Sequence, residues 1–367
     1  MHNRGLVLLP QNEDMHTKPE NNHYDLSAPF LLAQEGTRLI QIQPTLRCNL
    51  RCLHCYSESG PDRRGELAPE RFERFLDQAY DLGYSYVGVS GGEPLLWKGL
   101  EGFLELALHK GYSTSVTTNG TLLTKRNIAR LKGRAHLVAV SVDGPPEEHA
   151  IIRNSKTAFP AMQLGLMALR RADIPFTIAF TLTRYNAGQL QWLYEFAREE
   201  GALGINVHPL SGSGSASTHL LDAVPDSLEF QAASWLLALL VQQYDHAGPA
   251  VTMDVIRRKM LEKSCWAALK ENAGSALPSS VLVPSLIVEP DGCILPFTYG
   301  FPRSWAIGHL DDDSLSATFE QWRTNHADTI AALLTATLDR LAEKRAEYFD
   351  LFGELLITAR DLQPQFA

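Results

Sequence analysis

Cys48, Cys52 and Cys55 fall within a single short run, Pro44-Thr-Leu-Arg-Cys48-Asn-Leu-Arg-Cys52-Leu-His-Cys55-Tyr56. Thiolates are the ligands that iron–sulfur clusters require. A compact loop can turn three of them toward one cubane and leave one iron free for a small molecule. The competing chemistry is zinc, which takes four protein ligands, or three plus water. His54 sits between two of the cysteines, which makes it an awkward fourth ligand, and no second Cys-x-x-Cys occurs. The cluster is therefore the expectation. Two further cysteines, Cys265 and Cys293, make the total odd, which argues for metal or redox chemistry over a disulfide framework.

Small polar clusters recur downstream at regular intervals. Gly91-Gly92-Glu93-Pro94 combines two glycines, which let backbone approach a ligand closely, with a carboxylate able to pair with an ammonium. Thr117-Thr118-Asn119-Gly120 and Ser141-Val142-Asp143-Gly144 offer hydroxyl, amide and carboxylate groups suited to a ribose or an amino-acid head. Arg153 follows with a guanidinium suited to a carboxylate. Thr181-Leu-Thr183-Arg184-Tyr-Asn186 and Asn206-Val-His208-Pro209 close the series, with His208 a possible acid or base but more often a structural histidine. Each short motif is also ordinary turn chemistry, so placement matters more than composition.

That placement is set by alternating apolar runs and amphipathic stretches from Arg38 onward, the pattern of repeated βα units and a parallel sheet. Strands are predicted at Leu39–Gln43, Tyr86–Ser90, Ser113–Thr117, Leu137–Val142, Phe176–Leu182 and Ile205–Pro209. Helices are predicted near Pro69–Asp81, Trp97–His109, Thr124–Leu131, Phe159–Arg171 and Gln189–Glu200. The expected fold class is α/β: a partial (βα)6 barrel with a smaller α+β cap and a terminal helix. Every motif above then lies just after a strand, where ligands of such sheets bind.

Cys-x3-Cys-x2-Cys on the first βα loop, followed in order by these strand-end motifs, resembles the radical S-adenosylmethionine (SAM) superfamily over about Leu39 to Pro209. The resemblance implies a [4Fe–4S] cluster on Cys48, Cys52 and Cys55, with SAM on its open iron. It implies a cofactor-binding set of His54, Gly91, Gly92, Glu93, Pro94, Thr118, Asn119, Ser141, Asp143 and Arg153. In it, the Gly-Gly-Glu-Pro stretch takes the methionine amine and Arg153 the carboxylate. The implied reaction is one-electron cleavage of SAM to a 5′-deoxyadenosyl radical that abstracts a substrate hydrogen. An electron donor such as flavodoxin or ferredoxin is implied as a partner.

Beyond the Gly/Ser-rich turn Leu210–Ser217, helices are predicted at Asp226–Asp245 and Met253–Asn272, and a hairpin over Ser285–Phe297. A long amphipathic helix is predicted after Trp322, with Ile330, Leu334, Leu338, Leu341, Tyr348, Phe352 and Leu355 on its apolar stripe and Arg345 interrupting it. Cys265, Val288-Glu-Pro-Asp-Gly292, Ile307-Gly308-His-Leu310 and Phe319-Glu-Gln-Trp322 resemble the SPASM extension of peptide maturases. Phe297 stands where a cysteine is expected, and the late cysteine-rich run is missing, so an auxiliary cluster is in doubt. Cys265 and Cys293 then either join a partly non-cysteine-ligated auxiliary cluster, or serve as a hydrogen-atom donor, or are buried thiols acting as small hydrophobes. The expected organisation is an extension (1–37), a radical SAM core (38–217), a cysteine-poor SPASM-like cap (218–325) and a helical segment (326–367).

The resemblance implies a ribosomally made peptide as substrate, crosslinked or epimerised, delivered by a separate recognition protein. A tetrapyrrole or another small molecule is the rival, and a non-catalytic metal-binding scaffold the alternative of another class. The formal charge of −9 and the lack of a basic stripe argue against nucleic acid. No apolar run reaches the roughly 20 residues of a membrane span, and Gly5–Pro10 is too short for a signal-peptide core, so a cytoplasmic location is expected.

Overall fold

The computed structural model describes residues 38–244, 247–262, 282–344 and 347–362. Seven parallel strands form its centre: β1 (Leu39–Ile42), β2 (Tyr86–Val89), β3 (Ser113–Thr118), β4 (Leu137–Ser141), β5 (Phe176–Leu182), β6 (Gly204–Pro209) and β7 (Ala250–Met253). They pair in sequence order from β1 to β7. The connecting helices include α1 (Glu73–Asp81), α2 (Leu100–His109), α3 (Lys125–Leu131), α4 (Pro146–Ile152), α5 (Ala158–Arg171) and α6 (Leu190–Glu199).

Strand alternation explains why this sheet can carry a polar site. Along β1 to β4, one face buries Ile40, Ile42, Val87, Val89, Val116, Val138 and Val140 completely in the apolar core. Gln41, Gly88, Ser115, Thr117, Ala139 and Ser141 occupy the other, half-buried face. A period of two therefore sends hydrocarbon toward the helices and small polar groups toward the barrel interior.

The sequence pattern predicts a helix from Met253, but Ala250–Met253 forms a seventh strand. Instead β7 pairs with β6, and Ile256–Arg257 forms β8, followed by a short helix at Arg258–Glu262. The rest of that predicted helix, Cys265 included, lies outside the described residues, as does the 1–37 extension. The helix predicted from Asp226 is present as α7 (Ser227–Gln243). Asp226 and Glu229 form a capping box there, which satisfies the free amides of its first turn.

The predicted hairpin forms as β9 (Ser285–Val288) and β10 (Cys293–Pro296), with β11 (Gly308–His309) beside it. Strand β9 pairs parallel with β1, so the hairpin continues the barrel sheet, giving the order β11-β10-β9-β1 through β7. The single C-terminal amphipathic helix is in fact two, α8 (Leu315–Glu343) and α9 (Leu351–Leu362). Tyr348 lies between them in β12 (Tyr348–Phe349), paired with β8. Its apolar spacing matched the helical stripe because burial against β8 and burial on a helix face demand the same residue types.

Around Phe297, which stands where the SPASM resemblance expects a cysteine, aromatic rings pack together. Phe297 packs on Phe301 (5.4 Å between centroids), Phe301 on Trp305 (5.8 Å), and Trp305 on His326 (5.7 Å). Trp322 stacks on His326 and donates its indole N–H to the Trp305 carbonyl at 2.9 Å. Phe297 itself adopts φ +68°, an uncommon left-handed conformation for a bulky residue. Cys293 is the one cysteine of this region among the described residues.

Candidate cluster and cofactor site

The cysteine loop leaves β1 and is bound on all sides by the ends of other strands. The β2 end clips on first: Gly92 N–H donates to Thr45 O (2.8 Å) and Glu93 N–H to Arg47 O (2.9 Å). A Cβ on Gly91 would lie 2.9 Å from Thr45 O, and one on Gly92 would overlap the Arg47 carbonyl. The two glycines thus admit the backbone of the cysteine loop itself.

Glu93 is fully buried and reaches toward β3. Its carboxylate accepts from Thr118 Oγ1 (2.7 Å), Asn119 N–H (2.9 Å) and Leu95 N–H (3.1 Å). Burial pushes its pKa up, partly offset by these donors. Pro94 opens the short 3-10 turn that this carboxylate caps. Asn119 in turn faces the nest, with Nδ2 at 3.9 Å from Cys48 Sγ and 3.0 Å from Asn49 Oδ1.

The β4 end and α4 brace the middle of the loop. Asp143 is wholly buried, with Arg153 Nε at 2.6 Å and His54 Nε2 at 3.2 Å from its Oδ2. Burial pushes the Asp143 carboxyl up, but Arg153 and His54 outweigh it and hold it well below the ordinary carboxylate range. Arg153 Nη1 also approaches Cys52 Sγ at 3.8 Å, and Leu53 N–H donates to Ile152 O at 2.9 Å. Ser141 lies on the half-buried interior face of β4.

Several participants escaped the sequence reading. The Gly/Ser-rich turn after β6 packs on the cysteine loop: Ser215 N–H donates to Cys55 O (2.9 Å), and Gly214, at φ +59°, has no room for a Cβ against Cys55 and Tyr56. Helix α4, which presents Arg153, had no clear periodic signal over its seven residues. His208 is oriented by Asp254, Nδ1 lying 2.5 Å from Oδ2, and Asn206 bonds Thr252 one step earlier on the same pair of strands. Asp254 could not be found without β7. Tyr299, after the hairpin, packs edge-on against Tyr56 at 5.2 Å.

Residues 42–197 match the family model described as the Radical SAM superfamily. This segment is a radical SAM domain. An AdoMet-dependent heme synthase of Methanosarcina barkeri is 33% identical over 180 residues, 48% of this chain and 52% of the relative. The antilisterial bacteriocin subtilosin biosynthesis protein AlbA of Bacillus subtilis is 22% identical over 322 residues, 87% of this chain and 66% of the relative. The chain thus spans about half to two thirds of the length of these relatives. Streptococcus suis SuiB bound to precursor peptide SuiA shares the fold, with a TM-score of 0.61 at 15% identity, covering 77% of this chain and 64% of SuiB.

The superfamily uses a [4Fe–4S] cluster and SAM, and the radical SAM domain described here fits both. Its donor set is three soft thiols, and backbone amides of Leu50 and Ser59 already point at Cys48 and Cys55 Sγ (3.5 and 3.4 Å). Burial, with Glu93 and the neighbouring cysteines, pushes the Cys48 thiol up to about 12, partly opposed by the Leu50 amide. Among the described residues no three His, Cys, Asp or Glu group around a single-ion point. A cubane takes each thiolate on a different iron, and this loop offers three thiols for it. Beside the nest, His54 Nδ1 and Gln43 Oε1 are buried without a protein partner and could receive a ligand's polar groups.

Two outcomes follow from this packing. Gly92→Ala should cost about 1–3 kcal/mol, as overpacked sites do, and lower iron uptake, because the β2 end must move off the cysteine loop; urea unfolding and iron analysis check this. His149, buried beside Asp143 and Arg153, has its pKa lowered to about 4, first by burial and then by Arg153. Its unfolded value is about 6.5, so the unfolded chain binds the extra proton between these limits. Stability should then fall by roughly 3 kcal/mol as pH drops from 6.5 to 4, and the His149→Gln variant should show a correspondingly flatter urea-midpoint profile.

Proposed function

We propose that this chain is a radical SAM enzyme that modifies a ribosomally synthesised peptide by crosslinking or epimerisation. The observation carrying the reading is the cysteine nest, whose loop is bonded to the ends of β2, β3, β4 and β6 through the motifs a SAM site needs. When bound, the cluster and SAM supply an electron and a 5′-deoxyadenosyl radical that takes a hydrogen atom from substrate. Cys48, Cys52 and Cys55 would hold the cluster. His54, Gly91, Gly92, Glu93, Pro94, Thr118, Asn119, Ser141, Asp143 and Arg153 build the wall on which SAM is oriented. His208 and Asp254 stand on the far strands of the barrel, where they can hydrogen-bond substrate. A flavodoxin- or ferredoxin-type donor would supply the electron, and a separate protein could present the peptide.

The peptide reading is supported by the AlbA similarity, which runs through both halves of the chain. A tetrapyrrole substrate is the second reading, favoured by the higher identity to the heme synthase over 180 residues. Cys293, a buried thiol at the start of β10, is the candidate hydrogen-atom donor.

Anaerobically reconstituted protein should bind about four irons per chain and release 5′-deoxyadenosine on reduction with SAM. Cys52→Ala should abolish both while circular dichroism stays unchanged. One zinc per chain without SAM cleavage would instead identify a scaffold. In assays offering peptide or a tetrapyrrole, Cys293→Ser should still cleave SAM but stall or divert the product; unchanged product would leave the thiol a packing residue.

A further inference from the structure

The sequence resemblance gives Arg153 to a ligand carboxylate, yet the chain already engages its guanidinium. Nε pairs with Asp143 Oδ2 at 2.6 Å, and Nη1 is aimed at Cys52 Sγ at 3.8 Å. The same Asp143 oxygen holds His54 Nε2 at 3.2 Å, while Oδ1 accepts from Thr181 N–H at 3.2 Å. Cys52 and His54, both on the cysteine loop, are therefore tied through one ion pair to β4 and α4. Arg153 is 7% exposed and Asp143 is not exposed at all, so solvent screens the pair little.

A cation that donates a hydrogen bond to a ligand sulfur stabilises the reduced state of an iron–sulfur centre, whose potential follows local charge and the bonds its sulfurs accept. A carboxylate behind that cation does two things. It fixes where the guanidinium points, and it offsets part of its charge.

We propose that Arg153 and Asp143 are a positioning pair for the cluster: Arg153 donates to Cys52 Sγ and raises the reduction potential, and Asp143, steadied by His54, holds the guanidinium in place and tempers its effect. This rests on the cluster assignment above. It gives the pair a role before SAM arrives, one that a simple carboxylate clamp would lack.

The test is a redox titration of the full reconstituted chain without SAM, followed by electron paramagnetic resonance, with iron per chain measured in parallel. Arg153→Met should titrate at lower potential than wild type and Asp143→Asn at higher potential. The double variant should fall below wild type by less than Arg153→Met alone. Unchanged potentials at full iron content would overturn the proposal. Each single variant leaves one buried charge uncompensated and can fail to fold, whereas removing both charges is far better tolerated. The double variant then decides: a lowered potential supports the pair's role, and the wild-type potential overturns it. A wild-type chain that takes up no iron sinks the cluster assignment itself, and the pair's role with it.

Discussion

An irregular loop can sit at the mouth of a barrel only if its backbone groups find partners, because each buried unpaired amide or carbonyl costs as much as a lost hydrogen bond. The run from Pro44 to Gly60 meets this constraint by borrowing backbone partners from the end of β2, the end of α4 and the turn after β6. Thr45 and Arg47 carbonyls take amides from Gly92 and Glu93, Leu53 uses Ile152, and Cys55 uses Ser215. Most other features of the site follow from that docking. Glycine stands at 92 and 214 because backbone meets backbone there, and the glutamate at 93 is buried because it joins β2 to β3.

The electrostatics obey the same economy. A buried Asp143 is tolerable only with Arg153 and His54 on it, and a buried Arg153 only with Asp143 and Cys52. Such a network is intolerant of single changes yet holds its members within tight limits, as a site that must orient a reactive cofactor requires. Burial pushes the Cys48 and Cys52 thiols up, so binding a metal centre there is coupled to proton release.

In the C-terminal half, ring packing holds the elements that follow the hairpin. Turn and strand signals around Val288–Gly292 predicted the hairpin correctly, yet its neighbourhood is packed by Phe297, Phe301, Trp305 and Trp322. Interlocked rings bury apolar area and hold the elements after the hairpin together. Through β9 and β1 that hairpin shares the sheet that carries the cysteine nest.

By itself the sequence determined the cysteine spacing, the first six parallel strands, the order of the strand-end motifs and the hairpin, since all of these are written in local period and turn chemistry. Tertiary structure decided what those motifs touch. Whether Glu93 faces a ligand or Thr118, whether Arg153 stands free or on Asp143, and whether His208 has a carboxylate partner are questions of nonlocal contact. Asp254 became visible only with β7, a strand that buries just Met253 and so shows no strong apolar pattern. Tyr348 was misread because burial selects the same apolar residue in a strand as on a helix stripe. Local preference records what a segment can become, and the contacts made after folding determine which of its polar groups remain available for chemistry.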